Sequence, residues 1–182
     1  MILLLQFLEN ILNLVRTTNF EHSNRTEERI VPLEYESQEF SDELKRRINA
    51  DKDYREKARG MNWATLFIIN DVPLATYSNY VNGELKDRKH ILPSETEEYK
   101  KKIDFVVEIP TYDLSVEMAT GKKSLESMFL SGKLKVDGSI FKALQYRDAI
   151  ERVAKITAEL VNESVIPSRE DFAKMLRKLG SS

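Results

Sequence analysis

The sequence contains no cysteine and only two histidines, His22 and His90, in 182 residues. Without cysteine, disulfide scaffolds, thiolate zinc sites, iron–sulfur clusters and cysteine nucleophiles are all excluded. Two histidines leave no histidine-rich metal site, and a Ser-His-Asp triad would have to use one of them. No surplus of charge exists either. Lys and Arg total 28 against 30 Asp and Glu, a net of −2. Nucleic acid is therefore not expected as a partner, since phosphate binding calls for a basic excess. Asn82-Gly83 and Gly121 read as turn glycines, and no phosphate-cradling glycine loop is present. The acidic groups Glu95, Glu97, Glu98, Glu170 and Asp171 fall in loops or at a helix start, where carboxylates are solvated or cap. No catalytic residue, metal or cofactor is assigned, and the chain is expected not to be an enzyme. What remains is 41% hydrophobic and 32% charged, enough apolar material for one core with extensions. The missing cysteines and the many charges fit a cytoplasmic protein.

Long apolar runs are scarce, with one at residues 1–15, where eleven side chains are apolar. As a helix it would reach roughly 22 Å, short of the ~30 Å of a bilayer core, so no transmembrane segment is expected. No basic residue precedes the run and no small-residue cleavage site follows, which argues against a signal peptide. Gln6, Glu9, Asn10 and Asn13 form a narrow polar stripe, so residues 1–16 read as an amphipathic helix. Its wide apolar face needs burial. Docking on its own domain or a homodimer through residues 1–16 answers that need most simply; a lid or a transient membrane-surface contact is the alternative. Charge then steps from −4 in residues 1–40 to 0 in 41–110 and +2 in 111–182. The division expected is helix 1–16, linker 17–40, main domain 41–161 and a C-terminal helical extension 162–182.

In the main domain, Ser41 and Asp51 are helix caps for segments carrying Leu44, Ile48, Tyr54 and Ala58, with Gly60 as stop. Residues 63–69, 74–81, 84–90 and 103–109 are strands, the second and third joined by the hairpin signal Asn82-Gly83. The third, with Lys86, Arg88, Lys89 and His90, is charged enough for an exposed edge, where its solvated cations could also form a basic rim for a phosphate-bearing ligand. Two short helices over 113–120 and 124–131 precede a strand at 133–136, then a long helix from 139 to about 161. A short helix bearing Phe172, Met175, Leu176 and Leu179 follows. The order helix, three strands, crossover, strand, helical pair, strand, helix makes an α+β domain with a mainly antiparallel five-stranded sheet.

The segment from Asp113 to Gly138 resembles the signature of the sterol carrier protein-2 family. Its most specific part is Phe129-Leu130-Ser131-Gly132-Lys133-Leu134-Lys135-Val136-Asp137-Gly138. Upstream, the groups Ile48 to Asp51, Tyr54 to Ala58 and then Trp63 are similar to the first helix of microbial members. Two departures are plain: Leu130 replaces the usual Met, and Gln145 sits one position early for the family's glutamine. The resemblance covers about residues 40–150 and implies a non-catalytic domain enclosing an apolar tunnel for a fatty acid, acyl chain, sterol or isoprenoid. Under it, Leu114, Met118, Leu125, Met128, Phe129, Leu130, Ile140, Phe141 and Leu144 are the expected lipid-binding residues. Methionine among them suits a pocket that adapts to variable chains. The alternative is an accessory scaffold of the same fold that dimerises or docks to a lipid-handling enzyme through its N-terminal helix.

Overall fold

The computed structural model describes residues 32–179. The expectations for the N-terminal helix, its dimer contact and most of the linker lie outside the described residues. Five strands form one sheet: β1 (Trp63–Ile69), β2 (Leu74–Val81), β3 (Glu84–Ile91), β4 (Phe105–Ile109) and β5 (Lys135–Gly138). Their spatial order is β3-β2-β1-β4-β5, antiparallel throughout except for the parallel pair β1–β4. The α+β reading with a mainly antiparallel sheet therefore holds. Eight helices accompany it among the described residues: α1 (Gln38–Ala50), α2 (Lys52–Lys57), α3 (Thr96–Lys100), α4 (Tyr112–Ala119), α5 (Leu125–Leu130), α6 (Ile140–Gln145), α7 (Arg147–Asn162) and α8 (Arg169–Leu179).

Local chemistry sets the helix boundaries. Ser37, Asp51, Thr111, Ser124 and Ser139 each stand in extended backbone and accept from an amide three residues on, capping α1, α2, α4, α5 and α6. The single long helix expected over 139–161 is two helices, because Tyr146 leaves helical geometry. Its ring packs edge-on against Trp63 at 5.4 Å, a contact that hydrophobic periodicity does not reveal. The last strand begins two residues later than expected, at Lys135, and ends on Gly138, which pairs with Phe105.

α1 runs along β3 and covers that edge of the sheet. Ser41, Lys45 and Asn49, spaced four apart on one helix face, bond Arg88, the Lys86 carbonyl at 2.6 Å and both backbone groups of Leu85 at 2.9 and 3.0 Å. An edge strand whose backbone is bonded in this way cannot template further strands. α7 closes over α1 and α2 through Arg152–Asp51 and Arg47–Glu163, each 2.6 Å. α8 is part of the same core: Phe172 is fully buried against Tyr112 and Tyr35. Tyr35 reaches there because Glu34 pairs with Val165 next to it.

Gly83, at φ +80, lies in the β2–β3 turn where a Cβ would meet the Ala58 carbonyl oxygen at 2.4 Å. Its own carbonyl accepts from the buried Tyr54 hydroxyl at 2.7 Å. Gly83→Ala is therefore expected to cost about 2 kcal/mol or more by urea denaturation. Gly121→Ala, at φ +76 but with its nearest neighbour at 3.4 Å, is expected to cost about 1 kcal/mol. The reverse ranking would contradict the close approach of the turn to α2.

Candidate functional site

The inner face of the sheet is not one continuous core. A large cluster joins Trp63, Ile69, Leu74, Leu85 and Phe105 to the apolar faces of α1, α2, α7 and α8. A separate cluster joins Val107 and Ile109 to Met128 and Leu134, with Phe67, Leu114, Met118, Leu125 and Val136 against it. Register explains the second set. Phe67, Val107 and Val136 are directly paired across β1, β4 and β5, so they form one row beneath α4 and α5. The larger cluster is the main core and the smaller one a satellite on the same sheet face, with a seam between them.

Burial along β1 shows where the seam runs. Its inward residues at the two ends, Trp63 and Ile69, are 7% and 5% exposed. Between them Thr65 and Phe67, at the middle of the central strand, are only half-buried. In a filled interior the middle of the central strand is the best-packed place. Here Leu66, on the outer face, is better buried than Phe67 on the inner one. Helix side chains packed against the two clusters, Val116, Ala143, Ile150 and Val153 on the larger and Met118 on the smaller, are likewise half-buried.

The nine residues expected to bind lipid divide into two groups. Leu114, Met118, Leu125 and Met128 join the Phe67 row, and Phe129 beside them is half-buried. Leu130, Ile140, Phe141 and Leu144 are exposed, at 76, 55, 79 and 63%. The sequence reading missed Phe67 and Thr65, whose strand pattern marks them as core. It also missed the polar wall of the interior.

That wall is built from β3. The charge pattern places Arg88 and His90 on a solvated edge or a basic rim, yet both face inward. Arg88 donates from Nη2 to both oxygens of the Glu36 carboxylate, at 2.6 and 2.8 Å, and from Nη1 to the Ser41 hydroxyl. His90 donates from Nε2 to the Glu36 carbonyl at 2.9 Å, leaving Nδ1 to accept from the Thr76 hydroxyl at 3.3 Å. Glu36 reaches this position with φ 61, in the left-handed region that non-glycine residues rarely adopt. Burial works to raise the Glu36 carboxyl, but Arg88 and His90 outweigh it and hold it below the usual range. Burial, aided by Arg88, pushes the His90 imidazole down. Burial also raises the Tyr80 phenol to about 12, so it stays neutral.

Both shifts weaken the fold in acid. Below 6.5 at His90 and 4.5 at Glu36, the unfolded chain takes up protons before the folded one. Stability present at neutral pH is thus expected to fall in two stages on acidification, followed by urea midpoints down to about pH 4. His90→Gln should remove the upper stage and leave the lower. Stability rising below neutral pH would contradict the arrangement.

Two clefts lie elsewhere. One of ≈ 410 Å³ opens at the β1–β2 turn, lined by residues 68–75 and Thr96; the other, ≈ 90 Å³, lies beside His90, Leu92 and Leu176. The larger has a useful volume but is open and lined by the β1–β2 turn and the strand ends beside it, whereas a bound apolar chain needs enclosure. Neither contains any of the nine expected residues.

Comparison with known proteins agrees with the motif and the topology. The model of the SCP-2 sterol transfer family matches residues 42–151, more than half of the chain. The chain belongs to the SCP-2 sterol transfer family. A crystal structure of sterol carrier protein 2 is similar at a TM-score of 0.58 and 18% identity, covering 68% of this chain and 96% of that one. A solution structure from Thermus thermophilus, described as possibly a sterol carrier protein, has a TM-score of 0.58 and 17% identity, covering 68% and 87%. At such identities the two structures show the shared fold. No curated protein matches the chain. As a family domain it is one of lipid binding or transfer. Among the described residues no helix is long and apolar enough to cross a membrane.

Proposed function

We propose that this domain binds a single long apolar chain, fatty-acyl, sterol or isoprenoid, in the seam between the two inner clusters, without catalysis. The carrying observation is the inverted burial of β1, with the middle of the central strand accessible and its ends sealed. Lining is assigned to Phe67, Leu114, Met118 and Leu125, half-buried against the smaller cluster, and to Phe129, half-buried next to Met128 on α5 and packed in neither cluster. Met128 is buried behind them at 6% exposure. Closing such a seam with ligand removes apolar surface from water at about 25 cal/mol per Å², and a methionine in the wall reshapes to ligands of different girth. The ion pair of Arg88 and Glu36 fixes the opposite wall and has no unpartnered buried side-chain polar atom to offer. That favours an apolar cargo over a charged head group inside.

The test is titration of the full chain with a fluorescent fatty-acid analogue. Saturation near one equivalent is expected, and Phe129→Asp should abolish it, since an unpaired carboxylate in the seam is strongly disfavoured. The far-ultraviolet spectrum should not change, because Phe129 is outside both inner clusters. Binding that survives Phe129→Asp unchanged would remove the seam as the site.

A further inference from the structure

Two hydroxyls on the inner face of the sheet, those of Thr65 and Ser78, make no side-chain hydrogen bond among the described residues. The two residues are directly paired across β1 and β2, so their side chains stand next to each other on one face. The same row continues to Arg88 on β3 and to Phe105 on β4. Ser78 is 6% exposed, and Thr65 is half-buried at the middle of the central strand, where the seam runs. Interior hydroxyls normally find a partner. Those of Thr120, Thr157 and Ser164 turn onto backbone carbonyls, and that of Thr76 bonds His90. Among the described residues no fully buried side-chain nitrogen or oxygen lacks a partner. The Thr65 and Ser78 oxygens therefore border space that a water or a ligand group can enter.

The charges beside this pair are already balanced. Arg88 is committed to Glu36 at 2.6 Å and to Ser41. His90 is biased to its neutral form, and Tyr80, two residues from Ser78 on the same face, stays neutral. An ionised carboxylate placed here would be a second anion beside Glu36, and its burial would go uncompensated. A ligand hydroxyl fits instead. Thr65 and Ser78 each donate and accept, so an alcohol can donate to one and accept from the other. An ester carbonyl only accepts. A plain alkyl segment displaces the water and leaves both hydroxyls unpaired.

We propose that Thr65 and Ser78 are the polar anchor of the seam and select a cargo that carries an uncharged hydroxyl, a long-chain alcohol, over the matching fatty-acid anion. This rests on the seam reading and narrows it: the apolar wall holds the chain, and the hydroxyl pair decides which end group enters with it.

The experiment is displacement of the fluorescent acyl analogue from the full chain by dodecanol, methyl dodecanoate, dodecanoate and dodecane at neutral pH. Dodecanol is expected to act at about tenfold lower concentration than dodecanoate or dodecane, with the methyl ester between them. Thr65→Val/Ser78→Ala should bring dodecanol to the level of dodecane, and Ser78→Ala alone should lower the preference about threefold. Thr65→Ser, which restores a hydroxyl at the same place, should keep it. Equal displacement by dodecanol and dodecane in the unsubstituted chain, tighter binding of dodecanoate, or a preference that survives in the double variant would overturn the proposal and leave the seam in place. Failure of the analogue to bind, or binding indifferent to Phe129→Asp, would remove the seam reading itself and the anchor with it.

Discussion

Arg88→Met is expected to destabilise the domain by about 3–5 kcal/mol, because it leaves the Glu36 carboxylate buried without a counter-charge. Both side chains are only 9% exposed, and Glu36 loses a two-point bond of 2.6 and 2.8 Å. Ser41 also loses the donor it accepts from. His90 gives little compensation, since its own folded form is biased to neutral. A cycle with Glu36→Met and the double variant separates the pair from its surroundings. The double variant is expected to recover more than half of the loss, as apolar replacements of a buried pair usually do. Strict additivity in urea denaturation would mean that the two charges do not depend on each other.

Phe172→Ala is expected to cost about 3–5 kcal/mol, the range for a fully buried aromatic. The ring is 0% exposed, stacked on Tyr112 at 4.7 Å and facing Tyr35 at 6.5 Å. Removing it opens a cavity between α8, the start of α4 and the segment before α1, and none of those groups can collapse without breaking other bonds. The Tyr112 hydroxyl donates to the Pro167 carbonyl at 3.0 Å and the Tyr35 amide to the Val165 carbonyl at 2.9 Å, which pins both partners. A loss below about 1 kcal/mol, within the range of surface substitutions, would mean that α8 is an appendage to the fold.

The strands were legible because β-branched and aromatic runs are bounded by strong turn residues. Trp63 to Ile69 and the Asn82-Gly83 hairpin stand where the composition places them. The direction of β3 was not legible. A register shift opposite Asn79 and Tyr80 leaves Lys86 unmatched, so Leu85 and Arg88, three apart, both face inward. Strict alternation cannot reveal that, and Glu36, the partner that makes it tolerable, lies 52 residues away. The motif around Phe129 to Gly138 marks the region to which the proposed site is assigned. It did not separate half-buried from exposed positions, since Leu130, Phe141 and Leu144 have the helical spacing of core residues. Their exposure is set by how α5 and α6 are placed in the fold, which is a tertiary property. Phe67 and Thr65 were hidden for the converse reason: a central strand reads as filled core, and the incomplete burial of its inward side chains leaves no mark on its sequence.

Native mass spectrometry of the purified full chain tests the central claim most directly. The account predicts one bound species per chain with the mass of a fatty-acyl, sterol or isoprenoid lipid, released by organic solvent and absent from Phe129→Asp. A chain that carries no lipid, and takes none up when offered an acyl chain, would contradict it.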